Sequence, residues 1–541
     1  MNKFLLIGII FLAIILRFIN IDSNPKAMYG DELTLAFDAY SISQTGYDQK
    51  GEKLPLVFQL GGARPPVYVY ATIPLASILG PTALAARTVS ALSGIGIVIL
   101  LYFIVIEFFG KKTALFASFL GAISPWGISI SRGSFETNLA LFLALLGIFG
   151  LLKSLKRPIW LLVAGFSFAL SMQTYATYRL TIPLILTVFI ILNFQKFKKI
   201  TENRLIFIPT ALILLASLLL GLYLMVSIGG RDRFSNINVF QSDQTEATTT
   251  QKISVEREKI NLPKFIETIF HNKYMEKTGI FFQNYLDNFT GQFLFLTGDS
   301  NPRHNPSGMG EFYWISLILI IFALPALKKS HPKLLITLTS WILLTPIASS
   351  LVGEAHALRS SFLLPPILIL SAIGFSKIWE LKAIIWRKTI IGLVIFAISI
   401  QFIYFYERVY IVAPQLYEEF WSYSAKQASQ IANEERGNFD YIILSNDIPN
   451  MEYAYPTYNK LDPRLVMEQN RTKSELNQYS FFKYENVYIG SLPKGALVSF
   501  LSSLPGSYFY LSPLEDKNVA NIFQLGKVTE DPDGLIIIQK E

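Results

Sequence analysis

Two adjacent acids, Asp31 and Glu32, lie in the stretch MYGDELTLAFDAY at residues 28–40, just after an apolar N-terminal segment. A carboxylate held where lipid headgroups meet water can act as a general base towards a hydroxyl group. Acids at this spacing also suit the first turn of a helix, where they interact favourably with the helix dipole. The residues alone leave the catalytic and the structural interpretation open.

Two further short stretches carry arginine next to turn-forming or acidic residues. Arg64 directly precedes Pro65 and Pro66, and a guanidinium binds phosphate through two parallel hydrogen bonds. Snorkelling towards lipid phosphates in general is the alternative. Arg132 and Glu136 stand four residues apart in SRGSFE, a spacing that also allows a simple ion pair along a helix.

The remaining candidates lie in two polar connections. The stretch 293–310 is dense in Gly, Pro and Asn and contains Asp299, Arg303 and His304, and its flanking aromatic residues favour an ordered turn system. The stretch 353–359 contains His356 and Arg359 at the mouth of two apolar runs. Ionisable groups in such places are functional candidates, although His356 is equally compatible with a structural role.

The composition is that of a polytopic membrane protein. Of 541 residues, 52% are hydrophobic and 16% are charged, whereas soluble proteins average about a quarter charged. The absence of cysteine excludes disulfides, thiolate catalysis and cysteine metal sites, and four histidines leave little material for a histidine-rich metal site. The net charge of +8 fits basic cytoplasmic loops and does not indicate nucleic acid.

Apolar runs predict about eleven membrane spans, the first of them an uncleaved N-terminal helix. A shorter segment at 65–80 is predicted as a juxtamembrane or re-entrant helix. Most lysines and arginines between spans then fall on one side, which the positive-inside rule assigns to the cytoplasm. All five polar stretches fall on the other side. The predicted spans are 3–21, 86–108, 113–130, 137–152, 158–175, 180–195, 205–227, 312–327, 334–351, 360–378 and 389–406.

The chain is predicted to divide into a transmembrane domain at 1–406, with outer loops at about 22–85 and 228–311, and an extracytoplasmic domain at 407–541. The second domain has mixed charge and is predicted to be a small α/β fold. Its β-type runs are 441–445, 487–490, 508–511 and 535–538. The polar stretch 241–251 is predicted as a mobile loop tip.

The order and spacing of several blocks resemble the GT-C class of membrane glycosyltransferases, in the family-39-like branch that includes protein O-mannosyltransferases and aminoarabinose transferases. The resemblance covers about the first 380 residues. The blocks are RFINIDSNPKAMYGDE, ARPPVYVYATIPLASILG, ALAARTVSALSG, SPWGISISRGSFE, TGDSNPRHNPSGMG and HALRSSFLLPP.

This resemblance implies a glycosyltransferase of GT-C fold in the plasma membrane, with a polyprenyl-phosphate sugar donor and inverting transfer to a protein, glycan or lipid hydroxyl outside the cytoplasm. Asp31 matches the catalytic acid of the family, with Glu32 beside it. No residue is assigned as a metal ligand, and a divalent cation is left open. The implied donor-phosphate ligands are Arg64, Arg87, Arg303 and Arg359, and the implied substrate-binding residues are Arg132, Glu136, Asp299, His304 and His356.

Two positions depart from the pattern of related aminoarabinose transferases. Thr34 stands where they have an arginine, and Ala63 stands where they have an acid. The alternative function is a transporter or flippase of lipid-linked glycans. Carriers usually place ionisable groups near the bilayer midplane and often show two related halves. Here the predicted spans are nearly free of charge and no internal repeat is visible, which favours the enzyme.

Overall fold

The computed structural model describes residues 2–59, 64–226, 238–259, 263–493, 495–517, 525–531 and 534–540. They form two compact units. The first comprises Met1–Ile19 and Ser90–Val412, and the second comprises Asn20–Val89 and Ala413–Glu541. The first outer loop therefore belongs to the same unit as the C-terminal tail.

Helices make up most of the described chain, because a long apolar run satisfies its backbone polar groups internally only as a helix. In chain order they are α1 Asn2–Phe18, α2 Gly30–Thr45, α3 Val67–Leu79, α4 Ala83–Val105, α5 Lys111–Ile123, α6 Pro125–Ser129, α7 Glu136–Ser154, α8 Trp160–Met172, α9 Tyr178–Leu192, α10 Phe194–Thr201, α11 Arg204–Val226, α12 Asp243–Lys259, α13 Lys264–Phe270, α14 Lys273–Asp287, α15 Ile315–Ser330, α16 Pro332–Leu344, α17 Pro346–Ser350, α18 Leu364–Trp379, α19 Ile384–Glu407, α20 Ala413–Leu416, α21 Tyr423–Glu434, α22 Met451–Tyr458, α23 Pro463–Arg471 and α24 Leu497–Ser502.

Six helical segments of the described chain are long and apolar enough to cross a membrane, or seven if α9 and α10, bent by 99° at their junction, count as one. The chain is a multi-pass membrane protein. The number of about eleven spans stays a prediction, since several predicted spans contain shorter helices, such as α8. The six segments are Ala83–Val105, Glu136–Ser154, Arg204–Leu224, Pro332–Ser350, Ser361–Trp379 and Ile384–Leu416.

Close helix packing in the first unit depends on small residues. Helix α15 packs along α18, and α7 packs along α8. At Gly374 of α18, a Cβ atom would collide with the backbone carbonyl of Leu319 on α15. Glycine therefore allows two apolar helices to approach with backbone in contact, a common device of membrane helix pairs.

The C-terminal tail forms a seven-stranded mixed sheet, ordered β2-β3-β4-β1-β5-β7-β6. Strand β1 lies in the middle and pairs in parallel with β4 and β5, while the other pairs are antiparallel. Residues 442–444 of β1 are fully buried, as a continuous apolar run in a parallel strand predicts. The four predicted β-type runs are confirmed. The strands are β1 Tyr441–Ser445, β2 Ser474–Leu476, β3 Tyr479–Tyr484, β4 Val487–Gly490, β5 Tyr508–Pro513, β6 Lys527–Glu530 and β7 Leu535–Lys540.

Helix α3 confirms that the predicted segment at 65–80 is helical, and its juxtamembrane or re-entrant placement stays a prediction. The second outer loop contains three helices that were not predicted, α12, α13 and α14. In the second unit, α2 packs against α3 and against α22 and α23 of the tail. In the first unit, most of the stretch 241–251, predicted as a mobile loop tip, lies in α12. Lys252 of α12 pairs with Glu276 of α14 at 2.5 Å, so tertiary ion pairs accompany this polar helix.

Candidate active site

Helix α2 presents Asp31 in its first turn. The side chain of Asp31 is 55% exposed, while that of Arg64 is only 3% exposed. Arg64 Nη2 lies 3.5 Å from Asp31 Oδ1 and donates a hydrogen bond of 2.9 Å to the Asp31 carbonyl oxygen. One guanidinium therefore holds the backbone at Asp31 and also faces its carboxylate.

Arg64 is itself held in place by its neighbours. Its backbone exchanges two hydrogen bonds with Phe58, at 2.8 and 3.0 Å, which form an isolated antiparallel bridge. Its Nη2 also donates to Thr34 Oγ1 at 3.2 Å. Thr34 follows Asp31 by one turn, so both lie on one face of α2. Ala63, one of the two departures noted above, lies outside the described residues.

Glu32 has the opposite environment to Asp31. Its carboxylate lies 2.8 Å from Arg87 Nη2, and neither side chain of this pair has any exposed surface. Arg87 also donates to the carbonyl oxygens of Ile21, Pro25 and Ala27, and the ring of Trp421 lies 5.3 Å from its guanidinium carbon. This pairing argues against the predicted roles, a base for Glu32 and a phosphate ligand for Arg87, because both groups are already engaged and closed to solvent.

A second buried acid lies on the same helix, two turns after Asp31. Asp38 Oδ1 accepts a hydrogen bond of 3.2 Å from the backbone amide of Gln49. Asp38 Oδ2 makes no hydrogen bond within the described part of the chain. Burial raises the pKa of Asp38 to about 7, and the nearby Asp48 acts in the same direction, while the charge of Arg64 opposes both. Asp38 was not among the predicted site residues, because nothing in its local sequence indicates burial.

In the first unit, the Asp299 side chain joins the polar stretches 293–310 and 353–359, which the sequence presents as separate segments. Its Oδ1 accepts a hydrogen bond of 2.8 Å from the Asn301 amide, and its Oδ2 accepts one of 2.7 Å from the Ala357 amide. The same Oδ2 lies 3.2 Å from His304 Nδ1 and 3.7 Å from His356 Nδ1. The predicted residues Asp299, His304 and His356 therefore form one cluster.

Burial and neighbouring charges shift the pKa values of Asp299 and His356. Burial alone raises the pKa of Asp299, but the hydrogen bond with His304 and the charges of the two histidines outweigh it and lower the pKa to about 2. Burial lowers the pKa of His356 to about 3, and the charges of Arg359 and Arg303 act in the same direction. Asp299 is thus a carboxylate, and Arg303 and Arg359 lie close enough to influence His356.

The stretch 293–310 forms an ordered turn system, as its flanking aromatic residues indicate. Asn305 Nδ2 donates to the carbonyl oxygens of Thr297 and Met309, both at 2.7 Å, and so closes the loop. Trp126, fully buried, donates from its indole to the Ala357 carbonyl at 3.1 Å. Trp126 lies within the block SPWGISISRGSFE but was not among the predicted site residues.

Arg132 contacts an aromatic ring and a backbone carbonyl of the first unit. Its guanidinium carbon lies 4.6 Å from the ring centre of Tyr410, and Nη1 donates to the Leu16 carbonyl at 3.4 Å. The residue is 3% exposed. Glu136 begins α7 and is half-buried. Their predicted roles in substrate binding remain predictions.

Parts of the sequence match known proteins. Residues 63–223 match the family described as dolichyl-phosphate-mannose-protein mannosyltransferase. Over 165 residues, 30% of this chain, the sequence is 28% identical to "Putative mannosyltransferase YkcB" of Bacillus subtilis (strain 168). The matched part spans 23% of that relative.

Solved structures resemble the chain over nearly its whole length. ArnT from Cupriavidus metallidurans in the apo state has a TM-score of 0.58 at 10% identity, covering 98% of this chain and 97% of that one. The same protein bound to undecaprenyl phosphate gives 0.57 at 10% identity and the same coverage. The oligosaccharyltransferase AglB from Archaeoglobus fulgidus, in complex with an inhibitory peptide and a dolichol-phosphate, gives 0.50 at 12% identity, covering 100% of this chain and 74% of that one. The resemblance to GT-C membrane glycosyltransferases is confirmed, and the fold is theirs.

Proposed function

We propose that this protein is an inverting glycosyltransferase that moves a sugar from a polyprenyl-phosphate donor to an acceptor hydroxyl. The observation that carries the proposal is the half-exposed carboxylate of Asp31, oriented by the buried guanidinium of Arg64 at 3.5 Å, in a chain with the GT-C fold. ArnT is solved with undecaprenyl phosphate and AglB with a dolichol-phosphate, which supports a lipid-linked donor here.

In the proposed reaction, Asp31 accepts the proton of the acceptor hydroxyl as the hydroxyl oxygen bonds to the anomeric carbon. The bond between that carbon and the phosphate oxygen breaks on the opposite face, and its electron pair leaves with the polyprenyl phosphate. Attack opposite to the leaving group inverts the configuration of the anomeric carbon. A positioned base of this kind typically contributes about 10²–10⁴-fold to the rate.

The leaving phosphate needs positive charge that is already in place, since preorganised charges are usually the largest catalytic term. Arg64, which faces the Asp31 carboxylate, is proposed for this role, and the predicted roles of Arg303 and Arg359 as phosphate ligands stay predictions. Arg87 is not proposed as a ligand of the leaving phosphate, because its hydrogen bonds with Glu32 and three carbonyl groups engage it fully. We assign the buried pair of Glu32 and Arg87 to holding the first outer loop in shape, so that Asp31 is presented at the start of α2.

The orientation in the membrane is part of the proposal. About eleven spans, with the basic connections in the cytoplasm, put Asp31, the carboxylate–histidine cluster and the C-terminal domain outside. On that side, the phosphate of a donor whose polyprenyl chain lies in the bilayer can meet a protein, glycan or lipid acceptor of the cell envelope. The division into a transmembrane catalytic domain at 1–406 and an extracytoplasmic domain at 407–541 is part of the same proposal.

Transfer is tested with purified protein in detergent and a set of polyprenyl-phosphate sugars, including mannose and aminoarabinose donors. Release of polyprenyl phosphate together with a new glycoside on a hydroxyl acceptor is expected, and NMR of that product reports the anomeric configuration. A retained configuration contradicts the inverting step. Failure of folded protein to release lipid phosphate from every donor contradicts the proposed activity.

Orientation is tested separately, and the chain suits the test because it has no cysteine. A cysteine is placed at Lys53 in the first outer loop or at Lys382 in a predicted cytoplasmic connection, both exposed positions. A membrane-impermeant maleimide applied to intact cells is expected to label Lys53→Cys and not Lys382→Cys. Labelling of the second variant alone contradicts the proposed topology.

A further inference from the structure

Asp299, His304 and His356 come together in the first unit as a set of two imidazoles and one carboxylate. One ligand atom from each residue lies within 4.8 Å of the other two. Asp299 and His304 are buried, and His356 is half-buried. Such a donor set is found in catalytic zinc sites, where three protein ligands leave one coordination position open.

The distances agree with those of a coordination shell. In a tetrahedral site with metal–nitrogen and metal–oxygen bonds of about 2.05 Å, two ligand atoms lie about 3.3 Å apart. Asp299 Oδ2 lies 3.2 Å from His304 Nδ1 and 3.7 Å from His356 Nδ1. To reach this spacing His356 must move towards Asp299, and its Nδ1 must give up the hydrogen bond of 3.2 Å that it accepts from the backbone amide of Leu358.

The surroundings of the cluster would support such a ligand set. Asp299 is oriented by the backbone amides of Asn301 and Ala357. The ring of Phe135 lies edge-on to His304 at 5.6 Å, and the two imidazole rings lie 4.5 Å apart. Hydrogen bonds and packing that fix the orientation of ligand side chains are typical of protein metal sites.

We propose that Asp299, His304 and His356 bind one divalent transition-metal ion of the zinc type. Two nitrogen ligands out of three favour zinc over magnesium or calcium, which prefer oxygen ligands. The ion links the loop at 293–310 to the connection at 353–359. The charges of Arg303 and Arg359 nearby act against a bare cation, and an anionic fourth ligand offsets them.

This proposal goes beyond the transferase function, since metal binding is measured without any sugar donor. Full-length protein is stripped with EDTA, dialysed and titrated with Zn²⁺ or Co²⁺ alone. One tightly bound equivalent of Zn²⁺ per chain is expected, together with the intense visible absorption of tetrahedral Co²⁺. An excess of Mg²⁺ is expected not to displace the ion.

The matched variants are His304→Gln and His356→Gln, with His331→Gln as the control. His331 contacts Ser330 and Phe109 and lies in a different part of the first unit. Substitution of Asp299 is avoided, because its carboxylate also holds two backbone amides. Each cluster variant is expected to weaken Zn²⁺ binding by at least about 100-fold, while the control binds like the wild type.

Correct folding of each variant is checked by its elution volume and thermal unfolding in the absence of metal. The proposal is overturned if the wild type binds no stoichiometric Zn²⁺, or if the folded cluster variants bind as tightly as the wild type. Neither result would affect the proposed transfer from a lipid-linked donor, which depends on Asp31.

Discussion

Glu32 Oε2 lies 2.8 Å from Arg87 Nη2 inside the second unit, and neither side chain is exposed to solvent. Its neighbour in sequence, Asp31, is 55% exposed. Successive residues of a helix point about 100° apart, so two adjacent acids at the start of α2 face the interior and the surface respectively. The structure thus separates an acid that supports the loop from an acid that can meet a substrate.

Breaking this buried pair is expected to destabilise the protein. Glu32→Ala leaves the Arg87 guanidinium buried without its carboxylate, and removal of one partner from a buried ion pair costs about 3–5 kcal/mol. A large fall in thermal stability and in the yield of folded protein is the expected result. Glu380→Ala is the control, since its ion pair with Lys377 is solvent-exposed. Equal melting temperatures for the two variants would contradict the structural role of Glu32.

Asp31→Asn is expected to fold normally and to lose sugar transfer by about 10²–10⁴-fold in kcat, because an amide cannot accept the acceptor proton. Binding of polyprenyl phosphate should change little. Glu52→Gln, an exposed acid in the same outer loop, serves as the control and should retain activity. Transfer by folded Asp31→Asn at the wild-type rate would exclude Asp31 as the base.

Arg64→Lys tests whether the geometry of the guanidinium matters beyond its charge. Arg64 Nη2 donates to both the Asp31 carbonyl and Thr34 Oγ1, and its position is fixed by the guanidinium plane. A lysine keeps the charge but places it as a point charge on a flexible stem. We expect a fall in kcat of about ten-fold or more, the equivalent of about 1.4 kcal/mol in transition-state stabilisation. Thr34→Val removes only one acceptor and should have a smaller effect. A change confined to KM would indicate that Arg64 acts in binding alone.

Asp38 predicts a pH dependence of stability. Its pKa in the folded protein is raised by burial to about 7, above the ordinary value of 3.8. The folded state therefore keeps this proton at pH values where the unfolded state has lost it, and this contribution to stability falls as the pH rises from about 4 to about 7. The melting temperature of Asp38→Asn relative to wild type should increase over that range and then level off. A difference that is constant between pH 4 and pH 8 would contradict the assignment.

Contacts between the C-terminal tail and the first outer loop predict that the tail stabilises the Asp31 region. The Tyr458 hydroxyl accepts a hydrogen bond of 2.8 Å from the buried amide of Met28, three residues before Asp31. Tyr458→Phe leaves that amide without this partner, a loss worth about 1–3 kcal/mol. The first outer loop of Tyr458→Phe should therefore be cleaved by protease faster than that of the wild type. Tyr404→Phe, at a residue that is 50% exposed, should leave proteolysis unchanged.

Much of the fold could be predicted from the sequence, because the signals are local. Apolar runs indicated a multi-pass membrane protein, and four short runs of β-branched and aromatic residues predicted β1, β4, β5 and β7. The polar helix α12 was missed, because its ion pairs with α14 join residues that are distant in sequence.

For the candidate site, the sequence by itself determined which residue types were available and in which short stretches they lie, including Asp31, Arg64 and the two polar connections. Only the tertiary structure decided their environments. Glu32 meets Arg87 across 55 residues, and Asp299 meets the amide of Ala357 across 58. The physical reason is that burial and charge pairing depend on which distant segments pack together, whereas helix, strand and turn preferences depend on near neighbours in the chain.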